Sequence, residues 1–165
     1  MQATTTMDPA VFRSTLSKYP TGVSIITSAD ENGRPVGGMT AGTFTSVSLD
    51  PPLVAFLPAK TSTSWPSIEE TGRFCINILS ADQASLCKAF AVPGGDKFDG
   101  VDWYHSQSGL PVLDGVIISI ECELRDTIDA GDHVIAMGEV TNMEIVNDAE
   151  PLIFHGGKFN RPLLI

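Results

Sequence analysis

Between Gly37 and Val54 the chain reads Gly-Gly-Met-Thr-Ala-Gly-Thr-Phe-Thr-Ser-Val-Ser-Leu-Asp-Pro-Pro-Leu-Val, and five hydroxyls (Thr40, Thr43, Thr45, Ser46, Ser48) fall within nine of those residues. Small residues let a ligand approach the backbone, and Ser and Thr offer hydrogen bonds without bulk. A flat ligand with a polar edge suits such a strand; a solvated, hydroxyl-rich edge strand is the plainer reading. A second group, Lys60-Thr61-Ser62-Thr63-Ser64, sets four hydroxyls beside one cation. That is the composition of a phosphate nest, and equally of an ordinary polar loop. The third group, Gly131-Asp132-His133, places a histidine after a turn, either to meet a ligand or merely to satisfy the turn.

The elements that must position these groups follow from periodicity. Asp8-Pro9 reads as an N-cap with proline at the first helical position, and Phe12, Leu16 and Tyr19 then share a helical face that ends before Pro20. Thr21–Ser28 is β-branched and apolar, and Asn32-Gly33 is a hairpin turn leading into one strand that carries Gly37–Ser48. Asp50-Pro51-Pro52 stops that ladder, because proline has no N–H to donate. Leu53–Leu57 and Phe74–Leu79 read as buried strands, with a short helix from about Ser64-Trp65-Pro66 between them. Ser80 and Gln83 have capping-box spacing for a helix reaching Phe90, and Ala91–Pro111 reads as irregular loop. Strands over Val116–Arg125, His133–Val146 and Leu152–Phe154 follow, then a tail through His155-Gly156-Gly157. Strands dominate and hairpins connect them, so the expected fold is mainly β, an antiparallel barrel with a few short peripheral helices.

Composition narrows the function. The 165 residues predict a single domain over 1–165, with residues 1–8 flexible. A net charge of −10 with no basic run argues against nucleic acid and against anionic membrane as partners. Met1–Asp8 lacks the apolar stretch of a signal peptide, and Cys75, Cys87 and Cys122 are odd in number and set in apolar pattern. Reduced core thiols in a cytoplasmic protein are the expectation, with no metal site. Neither G-x-G-x-x-G nor a P-loop occurs, so a dinucleotide must bind in a cleft and not on a Rossmann crevice.

Gly38-Met39-Thr40-Ala41-Gly42-Thr43-Phe44-Thr45-Ser46-Val47-Ser48 resembles the Gly-Met-Thr-Ala-Asn-Ser-Phe-Thr-Ser-Val-Ser run, ending in Pro-Pro, of the flavin reductase-like family. The likeness extends from Phe12 through Thr21-Gly22-Val23 and Gly131-Asp132-His133 to His155-Gly156-Gly157. This chain departs from the pattern at Gly42, where Asn is usual, and at Thr43, where Ser is usual. The resemblance implies an FMN-binding split barrel, usually a homodimer, that reduces FMN or FAD with NADH (NADPH is the alternative nucleotide) and supplies a separate flavin-dependent monooxygenase. It implies that Thr40, Ala41, Gly42 and Thr43 meet the flavin ring edge. Ser46 and Ser48 are implied for the ribityl chain or phosphate, and Lys60, Thr61, Ser62 and Thr63 for the phosphate. Phe90 and Phe159 are candidates to line the cleft, with core packing an equal expectation for Phe90, and His133 is implied to face the nicotinamide nucleotide. A non-catalytic flavin-binding electron carrier on the same barrel is the competing expectation. A relative acting on haem or a pyridoxine phosphate is a more distant one.

Overall fold

A computed structural model describes residues 7–163; the expectation of flexibility falls mostly on residues 1–6, which lie outside them. Helix α1 (Pro9–Leu16) starts as its sequence requires: the Asp8 carboxylate accepts from the Ala10 N–H at 2.7 Å. Strands β1 (Thr21–Gly22) and β2 (Ser24–Ala29) follow, then β3 (Pro35–Ala41), β4 (Thr45–Leu49) and β5 (Pro52–Phe56). Between β2 and β3 the Asp30 carboxylate accepts from the Asn32 and Arg34 N–H groups at 2.9 Å each, and Gly33 takes the left-handed φ of 78° that the turn needs. Next come α2 (Trp65–Thr71), β6 (Arg73–Ile78), α3 (Ala84–Ala91), β7 (Trp103–His105) and β8 (Pro111–Leu113). The long pair β9 (Ile118–Ala130) and β10 (His133–Ile145) precedes a terminal hairpin of β11 (Ile153–His155) and β12 (Lys158–Asn160).

Seven antiparallel strands form the main sheet in the order β3-β2-β6-β9-β10-β5-β4. The expected single strand over Gly37–Ser48 is therefore two strands, and they lie at opposite edges of the sheet. Laid flat, those edges would be about 29 Å apart at ~4.8 Å per strand. The connection Gly42–Phe44 reaches only about 14 Å from Ala41 to Thr45. The sheet must curl until its edges approach, and the hydroxyl-rich segment sits where the barrel closes.

Burial follows from the closure. Ile26, Phe56, Phe74, Ile76, Ile120, Cys122 and Ala136 form one cluster, with Trp65 and Ile68 of α2 packed into it. Side chains of the opposite parity, Ile25 and Cys75, join Cys87 and Phe90 of α3, Val112, Leu113 and Leu152 in a second cluster. Strand β2 faces both and is buried throughout, which explains its unbroken run of small and apolar residues. All three cysteines are buried and unbridged. Burial pushes the Cys122 thiol up to about 12 and Cys87 to about 11, and raises Cys75 further.

Three boundaries differ from expectation. Ala91–Pro111 is not wholly irregular, because β7 pairs with β8. Strand β9 runs on to Ala130, well past Arg125, through polar residues that pair along β10. The tail folds back as β12 on β11, and β11 pairs with β1 in a separate three-stranded sheet. One buried carboxylate locks the β7–β8 connection to the barrel. Glu121 is 3% exposed and accepts from Ser106 Oγ at 2.7 Å, from Asn142 Nδ2 at 3.0 Å and from Ser108 Oγ. Burial alone would raise its pKa, but these donors outweigh it and the net direction is down.

Candidate functional site

Gly42, Thr43 and Phe44 belong to neither neighbouring ladder: β3 pairs up to Ala41, and β4 starts at Thr45. Their peptide groups open instead onto a groove of about 890 Å³. Its walls are Phe12, Leu16 and Tyr19 from the α1 region, Leu57 after β5, Ile78 and Ile118 from the sheet, and Phe154 of β11. An apolar slot with a few unpaired backbone groups on one side is what a planar aromatic with a polar edge requires. Thr43 Oγ1 accepts from the Leu57 N–H at 2.9 Å, which fixes the segment against the end of β5.

Three residues beyond Leu57 the chain reaches the second group. The Pro58 carbonyl accepts from Val134 N at 3.1 Å, Ala59 bridges to His133, and the Lys60 N–H donates to the Asp132 carbonyl at 2.9 Å. The Lys60–Ser64 loop and the Gly131–His133 turn, remote in sequence, are thus side by side. Lys60 Nζ forms an ion pair with Asp129, so the loop's one cation is partly neutralised. Ser62 Oγ accepts from the Ser64 and Trp65 N–H groups at 3.3 and 3.2 Å, tying the loop to the start of α2, whose N-cap is Ser64. Thr63 Oγ1 accepts from the Gly94 N–H at 3.4 Å, and Thr61 is exposed. His133 Nδ1 meets Asp132 Oδ1 at 2.8 Å. That hydrogen bond holds the Asp132 carboxyl below its ordinary range and leaves Nε2 without a partner among the described residues.

The remaining candidates divide. Ala41 is buried at the end of β3, where its carbonyl accepts from Ser24 Oγ at 3.0 Å, and Thr40 Oγ1 donates to the Cys87 carbonyl of α3 at 3.2 Å. Both anchor the strand leading to Gly42 more directly than they face the groove. Ser46 and Ser48 lie on β4 across an irregularity in its register with β5, Ser46 exposed and Ser48 half-buried. Phe159 packs against Phe154 at a ring distance of 5.4 Å, in the terminal sheet and not beside His133 in this chain. Phe90 is only 2% exposed, and a Cβ at Gly38 would come within 2.5 Å of its ring. Its place is the core, because β3 uses a glycine to receive it. Of the two expectations for Phe90, core packing is the one this arrangement displays.

Phe12, Leu16 and Tyr19, expected only to share one helical face, wall the groove. No residue of α1 is buried, and Phe12 and Leu16 are 54% and 53% exposed. Their helical spacing signals an apolar face but not what that face meets. The residues fit a flavin on chemical grounds: unpaired amides for the ring edge, apolar walls for its faces, and hydroxyls at a reachable distance for a phosphate. From Leu57 to Lys60 the chain reaches about 11 Å at most.

A family model described as the flavin reductase like domain matches residues 16–162. A flavin reductase of Pseudomonas putida is 46% identical over 153 residues, covering 93% of this chain and 89% of that protein. HsaB of Rhodococcus jostii RHA1, the reductase subunit of a flavin-dependent monooxygenase, is 43% identical over 153 residues, covering 93% and 77%. Among solved structures, the NADH:FAD oxidoreductase SgcE6 of Streptomyces globisporus C-1027, in complex with NAD and FAD fragments, superposes with a TM-score of 0.88. Its sequence identity is 34%, and the match covers 94% of this chain and 93% of that one.

Proposed function

The chain belongs to the flavin reductase-like family, and from that membership we infer that it is an NADH-dependent flavin reductase that reduces FMN or FAD and supplies a separate monooxygenase. The observation that carries this for the present residues is the Gly42–Phe44 segment, which lies outside both neighbouring ladders and lines an apolar groove, while Leu57 of the same groove leads within three residues to the paired Lys60 loop and His133 turn. The dihydronicotinamide supplies a hydride and the flavin accepts it, so the reacting atoms belong to the two nucleotides.

The protein's part is to bind, orient and exclude water. Gly42 and Thr43 offer amides to the ring edge, with Thr40 and Ala41 holding the strand that presents them. The hydroxyls of Thr61, Ser62 and Thr63 would hold the phosphate, Ser62 donating its proton while its oxygen accepts from the Ser64 and Trp65 N–H groups. Ser46 and Ser48 extend this polar rim. His133, held through Nδ1 by Asp132, presents Nε2 to the nicotinamide nucleotide. Phe12, Leu16 and Tyr19 shield the ring from solvent. Neutral donors and a shared lysine charge bind moderately, which suits a flavin that must leave after reduction.

The protein acts as a cytoplasmic homodimer in this reading. Val47 and Leu49 on β4 and Met143 and Ile145 on β10 are apolar side chains left exposed on the single chain, surface that a second copy would cover. Phe159 would then line the nucleotide cleft across the subunit boundary.

Anaerobic mixing of FMN-loaded protein with NADH should bleach the flavin's visible band, and the reduced flavin should pass an ultrafiltration membrane that retains the protein. A bound flavin that keeps its absorbance in the presence of NADH would make the chain an electron carrier.

A further inference from the structure

Of the residues that line the apolar groove, Arg13 alone carries a charge. It stands on α1 between the two apolar walls, about 100° round the helix from Phe12 and about 60° from Leu16. A planar ring laid against Phe12 and Leu16 would therefore turn an edge toward the guanidinium. The helix is held at its C-terminal end in that orientation, where the Ser17 carbonyl accepts from the Gly156 N–H at 2.8 Å.

The other four arginines are all engaged. Arg34 pairs with Asp30, Arg125 with Glu139 and Arg161 with Asp82. Arg73 donates to the carbonyls of Ser108 and Asp30 at 2.9 and 3.0 Å. Arg13 has no ion pair and no side-chain hydrogen bond among the described residues, in a chain whose net charge is −10. No carboxylate lines the groove beside it. The positive charge there is thus uncompensated by the protein, whereas Lys60 shares its charge with Asp129.

Hydride transfer supplies the missing anion. NADH gives two electrons and one proton as hydride, the N5–H bond forms, NAD+ is left, and the neutral ring becomes a monoanion with its charge spread over N1 and the C2 carbonyl. A cation at the ring edge attracts that charge as it develops and leaves the neutral reactant almost unaffected. We propose that Arg13 stabilises the negative charge that the flavin edge gains on reduction, so that the groove holds reduced flavin more tightly than oxidised. The proposal rests on the flavin reading above and deepens it. Arg13 is exposed, so water limits its effect to about tenfold, which favours reduction and still lets the product leave.

Affinities for oxidised and for dithionite-reduced FMN, measured anaerobically by ultrafiltration, test this in the native protein, Arg13→Gln and Arg13→Lys. Riboflavin, which has the ring without the phosphate, is the second probe, and circular dichroism checks each fold. In Arg13→Gln the affinity for the reduced form should fall about tenfold more than that for the oxidised form, for FMN and riboflavin alike. The bound flavin's midpoint potential should fall with it by about 30 mV, and Arg13→Lys should recover most of both. Equal losses for the two redox states, or a loss confined to FMN, would place Arg13 on the phosphate and overturn the proposal. An unchanged ratio would overturn it too, leaving Arg13 as a complement to the α1 dipole. Because dithionite replaces NADH, a protein that binds FMN but oxidises no NADH would overturn the reductase reading alone, and the affinity ratio would still decide Arg13.

Discussion

His133 Nδ1 is held by Asp132 at 2.8 Å while Nε2 has no partner among the described residues, and the proposed role of the side chain is to position the nicotinamide nucleotide through Nε2. His133→Ala should raise the KM for NADH or slow reduction by about two- to tenfold, the value of one lost hydrogen bond, with flavin affinity unchanged. Wild-type rates at every NADH concentration would reduce His133 to a turn residue. Gly42 tests the ring edge from the other side. A Cβ there meets Thr21 Oγ1 at 3.2 Å, the end of a side chain that can turn away, and the Gly22 carbonyl at an ordinary 3.9 Å. Gly42→Asn should therefore fold normally and bind flavin several-fold more tightly, by about 1 kcal/mol for an added hydrogen bond; weaker binding would place the ring elsewhere. Glu121 governs stability. Its folded pKa lies below the unfolded value near ~4.3, so its contribution is full above that pH and is lost as pH falls through the folded value. Glu121→Gln should cost about 1–2 kcal/mol at neutral pH. The gap from wild type should narrow in urea melts run below about pH 4, and a pH-independent gap would show that Glu121 is not ionised in the fold.

Among elements, the break between β3 and β4 decides most. The sequence pattern over Gly37–Ser48 looks like one strand because hydroxyl and small residues continue on both sides of Gly42. Closure is a long-range event: only the pairing of β4 with β5 and of β3 with β2 reveals that three residues cross from one sheet edge to the other. Local signals were reliable where local physics sets the outcome. Asp8-Pro9 starts a helix, Asn32-Gly33 turns a hairpin, and Trp65-Pro66 opens the short helix α2. They failed where pairing partners set it: polar Asp126–Asp129 reads as loop, yet it is strand because β10 stands opposite. The terminal β12 was hidden for the same reason. At the site, the hydroxyl motif, the Lys60 loop and the Gly-Asp-His turn were all visible as residues, but their adjacency through Pro58 and Ala59 was not. Phe90 was ambiguous because an aromatic near a glycine-bearing strand has the same sequence signature in a core as in a cleft. Gly138 is a comparable case within the barrel. A Cβ there would approach Phe74 Cζ to 2.6 Å and Cys122 Cβ to 2.9 Å, so Gly138→Ala should destabilise by about 1–3 kcal/mol in chemical denaturation. A neutral result would mean that the barrel relaxes more easily than its packing suggests.

At the scale of the molecule, a barrel with a net charge of −10 sets neutral donors and few cations around its apolar groove. That distribution suits nucleotides that come and go, since no dense cationic clamp holds them. The same closed barrel buries every cysteine. The native protein should consequently react negligibly with a thiol reagent such as DTNB, and the denatured chain should titrate three thiols; prompt native reaction would mean that a barrel wall opens. The central claim is that hydride passes from NADH to a flavin that the protein binds and releases. Its most direct test is NADH oxidation by the purified protein with FMN, with FAD and with no flavin added. Turnover that depends on added flavin is the predicted result. No turnover with either flavin, while both still bind, would contradict it.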